Sequence, residues 1–400
     1  MILLYITAVV FILIQILFVL QVSHNCKYIL SKAAKKRVIY KPPVALILPC
    51  KGIDTAFDEN IRSFFQLDYD NYEIIFVTES ANDPAYERLG KLKEKFKGRS
   101  KAFNVRVLLS GISSNGSQKL HNMLYAFANI SPNIKVLAFA DSDVCVRSDW
   151  MSHIVYPVRR EKNGVSSGYR WYVPLKNNLA TLTLSAINAR VTQFLGATIF
   201  NKAWGGSMAV RVDVFRKLGI DKIWKNAASD DLTISKAVKK AKMLVAFVPA
   251  CLVVSFEQTD WPSLFEFARR QFVITKVTMP GLWLFALFCG IFGFLGFWGF
   301  AVLAIVTAMN GSGYWEVFLA TSVVFFVCQA IRAIMRQKMI FKLLASEAEK
   351  MKVAAIADCL GGPVWSLILL GCIISSAFGR TIKWRGVKYK LVGPMEVARI

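Results

Sequence analysis

Asp141 and Asp143 close the apolar run from Lys135 to Asp143, KVLAFADSD, which reads as a buried strand ending in two carboxylates one residue apart. Carboxylates at such a strand tip can grip a hard divalent cation, which takes oxygen ligands and bridges readily to a diphosphate. A D-x-D taken alone reads better as a polar turn after a strand, so the residues around it carry the argument. Asp54, Glu79 and Asp83 each follow an upstream apolar run, with Lys51 beside the first of them. Downstream, Asp230 and Asp231 open a helical run after the glycine pair Gly205-Gly206, where backbone can approach a ligand or turn sharply. Aspartate at a helix start also caps it and complements its dipole, so Asp230 has two readings. Asp231 is read as a catalytic carboxylate.

These residues need elements to hold them. Val44 to Cys50 (VALILPC) and Tyr72 to Thr78 (YEIIFVT) read as strands around a helix at Asp58 to Phe65, which makes a βαβ unit. A charged helix near 84–97, a strand at Val105 to Leu109, a helix around Lys119 to Asn129 and the Asp141/Asp143 strand continue the alternation. An open α/β sheet takes its ligand beyond the carboxyl ends of its strands, so Lys51, Asp54, Glu79, Asp83, Asp141 and Asp143 are expected to share one crevice.

The rest of the chain is unlike a soluble domain. In 400 residues, 55% are hydrophobic and the mean hydropathy is +0.42, which points to a membrane protein. The apolar excess sits at residues 1–22 and after about residue 280. The first stretch is long enough to span a bilayer and lacks a small-x-small cleavage site, so it is read as a retained anchor. Residues 281–308 and 314–331 read as two spans, and 353–378 as a third segment that either crosses, with the tail outside, or is re-entrant about a break at Gly361 to Pro363, the reading preferred here. Residues 261–279 read as an amphipathic helix lying on the membrane.

A formal charge of +24 suits an anionic partner, and its location selects among them. Lys27, Lys32, Lys35, Lys36 and Arg37 follow the anchor, while Arg332, Arg336, Lys338 and Lys342 flank the later spans, with a basic tail over 379–400. This is juxtamembrane charge, and no nucleic-acid-binding motif accompanies it. It places residues 38–260 as a domain facing the cytoplasm from the inner membrane. Eight cysteines with no CxxC indicate neither zinc nor a disulfide framework.

Were the crevice to hold a nucleoside-diphosphate sugar, a metal on Asp141 and Asp143 would neutralise the leaving diphosphate. A hydroxyl acceptor must lose its proton, and Asp231 is the available base. The pieces Leu48-Pro49-Cys50-Lys51-Gly52-Ile53-Asp54, Asn82-Asp83-Pro84-Ala85, Lys119 with Asn122, Asp141-Ser142-Asp143, Gly205-Gly206-Ser207-Met208, Asp230-Asp231 and Trp384-Arg385-Gly386 occur in an order and spacing that resemble ceramide glucosyltransferases and their bacterial relatives. These are membrane-anchored glycosyltransferases of the family-2 type with a GT-A α/β fold. The resemblance implies an inverting transfer of a sugar, most simply glucose, from a UDP-sugar to a membrane lipid such as ceramide, assisted by Mn²⁺ or Mg²⁺. It further implies nucleotide and diphosphate contacts at Lys51, Asp54, Glu79, Asp83, Lys119 and Asp141, and metal at Asp141 and Asp143. Asp231 is the implied base, and substrate contacts fall at Gly205, Gly206, Asp230, Arg270 and Gln271. The family's R-x-x-R-W signature reads Arg270-Gln271-Phe272-Val273-Ile274 here, so only its first arginine is kept. A processive polysaccharide synthase and a non-catalytic nucleotide or lipid sensor are the competing readings.

Overall fold

The computed structural model describes residues 2–34 and 39–400. The chain forms two compact units, one of residues 31–172, 197–256 and 380–400, the other of 1–30, 173–196 and 257–379. The basic cluster Lys35, Lys36 and Arg37 lies outside the described residues.

The first unit is built on a seven-stranded sheet: β1 Val44–Pro49, β2 Tyr72–Thr78, β3 Asn104–Leu109, β4 Val136–Ala140, β5 Asn163–Pro174, β6 Ser207–Arg211 and β7 Leu244–Glu257, in spatial order 3-2-1-4-6-5-7. β1, β2, β3 and β4 are parallel, and β6 runs antiparallel to both β4 and β5. The central strands read as continuous apolar runs because both faces are covered. Their alternate residues part cleanly between two cores: Val44, Leu46, Leu48, Ile74, Phe76, Val136 and Ala138 on one side, Ala45, Ile47, Ile75, Val77, Leu137 and Phe139 on the other. That is the period of two expected of a strand.

Three antiparallel strands complete this unit: β8 Thr381–Trp384, β9 Val387–Gly393 and β10 Glu396–Arg399. The segment read as a basic tail is therefore folded. Its buried Ile382, Tyr389, Leu391 and Val397 alternate with exposed lysines, and Val397 N donates to Asn226 O at 2.8 Å.

In the second unit, three helices among the described residues are long and apolar enough to cross a membrane: Ile2–Ala33, Pro280–Met309 and Trp315–Leu343. The first continues past the expected end at Val22, so Lys27 and Lys32 lie on the helix itself. The second contains a π turn at Leu295–Gly299, where the Ser322 hydroxyl donates to Phe297 O at 2.9 Å. Gly296 allows this, since a Cβ there would strike the Phe325 ring. Helices Ala348–Leu360 and Gly362–Ala377 meet at 84°, with the break at Gly361 as the sequence suggested.

Two charges read as juxtamembrane are internal to this unit. Arg336, 3% exposed, makes two contacts from Nη2 to Asp358, at 2.9 and 2.7 Å, and Gln337 Nε2 adds a third bond to Asp358 at 2.8 Å. Arg332 stacks over the Phe18 ring. At the bend itself Arg190 donates to Gly362 O and Ser366 Oγ, both at 2.7 Å, which ties helix Leu179–Thr192 to the first turn of helix Gly362–Ala377.

Candidate active site

β4 ends at Ala140, and the chain past it is pinned. Asn60 Nδ2 donates to Ser142 O, Ser255 Oγ to Asp143 O at 3.1 Å, and Cys145 N to Val254 O at 2.9 Å. Asp141 and Asp143 are thus fixed at the carboxyl end of the sheet, where an open α/β sheet takes its ligand. A cleft there is lined by Lys51, Lys119, Asn122, Asp141, Asp143 and residues of β8 and β9.

Lys119 stands at the centre. It lies in the first turn of helix Gln118–Ala128, which Ser117 caps. Its Nζ is 2.6 Å from Asp141 Oδ1 and 2.9 Å from Asp230 Oδ2. Burial works against the ammonium, but the two carboxylates outweigh burial and raise its pKa. The capping role open to Asp230 is taken by Ser229, whose hydroxyl accepts from Leu232 N at 3.1 Å. Asp230 is left to face Lys119.

Asp231 follows in the same turn of helix Asp230–Lys240, accepting from Leu232 N at 2.7 Å and from the Ser229 hydroxyl. Burial, reinforced by Asp230, pushes its carboxyl up to about 6, so it can both hold and release a proton near neutrality. Gly205 and Gly206 are required by these carboxylates: a Cβ on Gly205 would collide with Asp230, and one on Gly206 would sit 2.8 Å from Asp141 Oδ2 and strike the Trp204 ring. The close approach expected of the glycine pair is made to the acidic side chains.

Asp143 is held high by burial and by Asp141, with Arg170 opposing. Arg170 Nη1 lies 3.7 Å from Asp143 Oδ2 and its guanidinium stacks on Tyr172 and Trp204. The buried Asp143 Oδ1 has no hydrogen-bond partner among the described residues, an acceptor of the kind a cation satisfies.

The other expected residues are placed as follows. Lys51 Nζ pairs with Glu79 Oε1 at 2.6 Å. Asp83 Oδ1 accepts from Gly52 N and Ala85 N, both at 2.9 Å, so it caps helix Pro84–Phe96 and fastens the loop after β1. Asp54 is held by Arg385, at 2.6 and 2.9 Å. Asp54 and Asp83 therefore spend their carboxylates on protein partners, whereas the buried Glu79 Oε2 has none among the described residues. Arg270 and Gln271 belong to the second unit, on helix Trp261–Thr278, where Arg270 stacks over Phe267. On the same helix Arg269 donates to Phe378 O and Lys276 to Ala377 O, both at 2.8 Å, so two of its basic residues serve the end of helix Gly362–Ala377. Sequence reasoning missed Arg170, a lone cation in the strand run GVSSGYRWYV, and Arg385, the tip of a hairpin.

The mixed sheet, with paired carboxylates after β4 and a second acidic pair on a helix beside them, has the architecture of the GT-A fold. The chain belongs to glycosyl transferase family 21, whose model matches residues 3–394. It is 31% identical over 108 residues to ceramide glucosyltransferase 3 of Caenorhabditis elegans, covering 27% of this chain and 22% of the relative. It is 29% identical over 149 residues to the ceramide glucosyltransferase of Komagataella phaffii, covering 35% of this chain and 28% of the relative. The matched parts thus span under a third of these relatives. A mannosyltransferase from Pyrobaculum calidifontis, solved with GDP-Man and Mn²⁺, aligns over 94% of this chain and 97% of its own, at 13% identity and a TM-score of 0.49.

Proposed function

We propose that the chain is an inverting, metal-assisted glycosyltransferase that moves glucose from UDP-glucose to the hydroxyl of a membrane lipid such as ceramide, with the α/β unit facing the cytoplasm at the inner membrane. The observation that carries the reading is the part-buried acidic cluster around Lys119, in which burial and Asp230 push the Asp231 carboxyl up to about 6. That value suits a general base at neutral pH.

In this reading Asp231 takes the proton of the acceptor hydroxyl as its oxygen bonds to the anomeric carbon. The bond from that carbon to the β-phosphate oxygen breaks on the opposite face, and UDP departs with the electron pair. Asp143, with its unpartnered Oδ1, and Asp141 would hold a divalent cation. When bound, such a cation neutralises charge on the leaving diphosphate. Among the described residues no three His, Cys, Asp or Glu side chains form a metal site, so two carboxylates are what the protein offers and donor oxygens would supply further ligands. Lys119 keeps Asp141 and Asp230 oriented, and Lys51 adds positive charge at the cleft. The extended apolar helices would deliver the lipid by lateral diffusion.

The test is mass spectrometry of lipid extract incubated with purified protein, UDP-glucose and Mn²⁺ or Mg²⁺, with Asp231→Asn in parallel. One hexose added to a lipid class by wild type and not by the variant is the expected result. Hexose polymer, or no transfer from any UDP-sugar, would sink the proposal.

A further inference from the structure

The cleft's remaining wall comes from the hairpin of β8 and β9, whose two-residue link is Arg385-Gly386. Both link residues have positive φ, 48° and 82°, as the tightest antiparallel hairpins require. Glycine adopts that conformation freely, whereas a long side chain at the first position is disfavoured. An arginine kept there in spite of its backbone calls for a role for its side chain.

The guanidinium is aimed by design of the surroundings. Asp54 grips it bidentately, and Tyr389 of β9 accepts from Gln118 N at 3.3 Å, fastening the hairpin beside Lys119. Trp384, Arg385 and Tyr389 line the same cleft as Asp141 and Asp143. Arg385 also feels the field of both these aspartates. The Arg385–Asp54 pair is partly open to solvent, at 41% and 25% side-chain exposure, so as a mere ion pair it adds little to stability. Asp54 occupies two of the five guanidinium donors, and the planar fork matches phosphate oxygens as well as carboxylate.

Resting on the function proposed above, we infer that Arg385 is a diphosphate ligand of the donor site, with Asp54 as its positioning residue. The C-terminal hairpin then adds a further cation to the cleft that holds the carboxylate pair. Donor phosphates lie between a wall that recruits metal and one that offers a fixed guanidinium.

The experiment uses the full-length protein in detergent with Mg²⁺ and compares binding of UDP with binding of uridine, by calorimetry and ligand-observed NMR. Arg385→Ala is expected to weaken UDP about thirtyfold while uridine changes less than threefold, the loss typical of one charge-assisted contact to phosphate. Arg385→Lys, with charge but no fork, is expected to lose about tenfold, and Asp54→Ala about fivefold, both for UDP alone. Equal losses for UDP and uridine would assign the hairpin a purely structural role and overturn the inference, as would unchanged UDP affinity in Arg385→Ala. If wild type binds neither UDP, GDP nor ADP, the donor reading itself fails and the Arg385 assignment with it. Wild-type binding with indifferent variants removes Arg385 alone.

Discussion

Asp230 Oδ2 reaches back to within 2.9 Å of Lys119 Nζ, so the turn that carries Asp231 is tied to the helix that packs on β1 and β2. The same ammonium holds Asp141 at 2.6 Å, and one largely enclosed cation, its side chain 14% exposed, therefore joins the two acidic segments of the site. Removing it leaves two carboxylates facing each other without compensation.

Lys119→Met is accordingly expected to destabilise the α/β unit by about 3 kcal/mol, in the range for breaking a buried pair from one side. Because Lys119 has its pKa raised by folding, its contribution is fully present at and below the ordinary lysine range and is lost only in stronger alkali. In the variant the surplus negative charge is relieved by protonation, so its melting deficit should shrink between pH 7 and pH 5. Thermal unfolding at the two pH values checks this. A deficit that grows on acidification would contradict the pairing.

As the proposed base, Asp231 is expected to set the pH dependence of turnover. Its carboxyl titrates at about 6 and must be ionised to accept a proton, so kcat/KM should rise through pH 6 to a plateau. Asp231→Asn is expected to lower turnover about a thousandfold and to abolish that limb, with UDP still bound. A pH-rate profile of lipid hexosylation compares the two.

Asp143→Ala should remove the carboxylate whose Oδ1 has no protein partner. Titration of Mn²⁺ in the presence of UDP, followed by electron paramagnetic resonance, is expected to show binding at least tenfold weaker than wild type. Undiminished Mn²⁺ binding would move the metal away from this strand end.

Gly205→Ala tests the packing of the glycine pair. The added methyl collides with Asp230, and the cost expected for overpacking is about 1–3 kcal/mol, read as a lowered denaturation midpoint. Activity should fall with it, because the collision displaces the partner of Lys119. Gly281→Ala, with open space around its Cβ, is the neutral control.

Much of the sheet was legible because its central strands are buried on both faces, and such strands announce themselves as unbroken apolar runs: β2 spans Tyr72–Thr78, as the sequence implied. The break at Gly361 was legible from glycine and proline inside an apolar stretch. The folded C-terminal segment was not read, although Ile382, Tyr389 and Leu391 alternate with lysines and Arg385-Gly386 marks a turn. Net positive charge next to apolar spans outweighed a weak period of two. Arg336 was misread for a related reason, since its position beside an apolar run resembles a flank until Asp358, on another helix, is brought to it. Long-range pairing of single charges leaves no local trace in a sequence.

The hairpin that bears Arg385 carries a consequence for biogenesis. Residues 380–400 belong to the α/β unit yet are translated after every apolar helix of residues 280–377. Trp384, Arg385 and Tyr389 leave the ribosome after those helices, so an emerging chain holds β1 to β7 with one side of the cleft missing. Completion of the pocket is thereby deferred until after the membrane segments have emerged, and the assembled cleft reports that the intervening chain has been made.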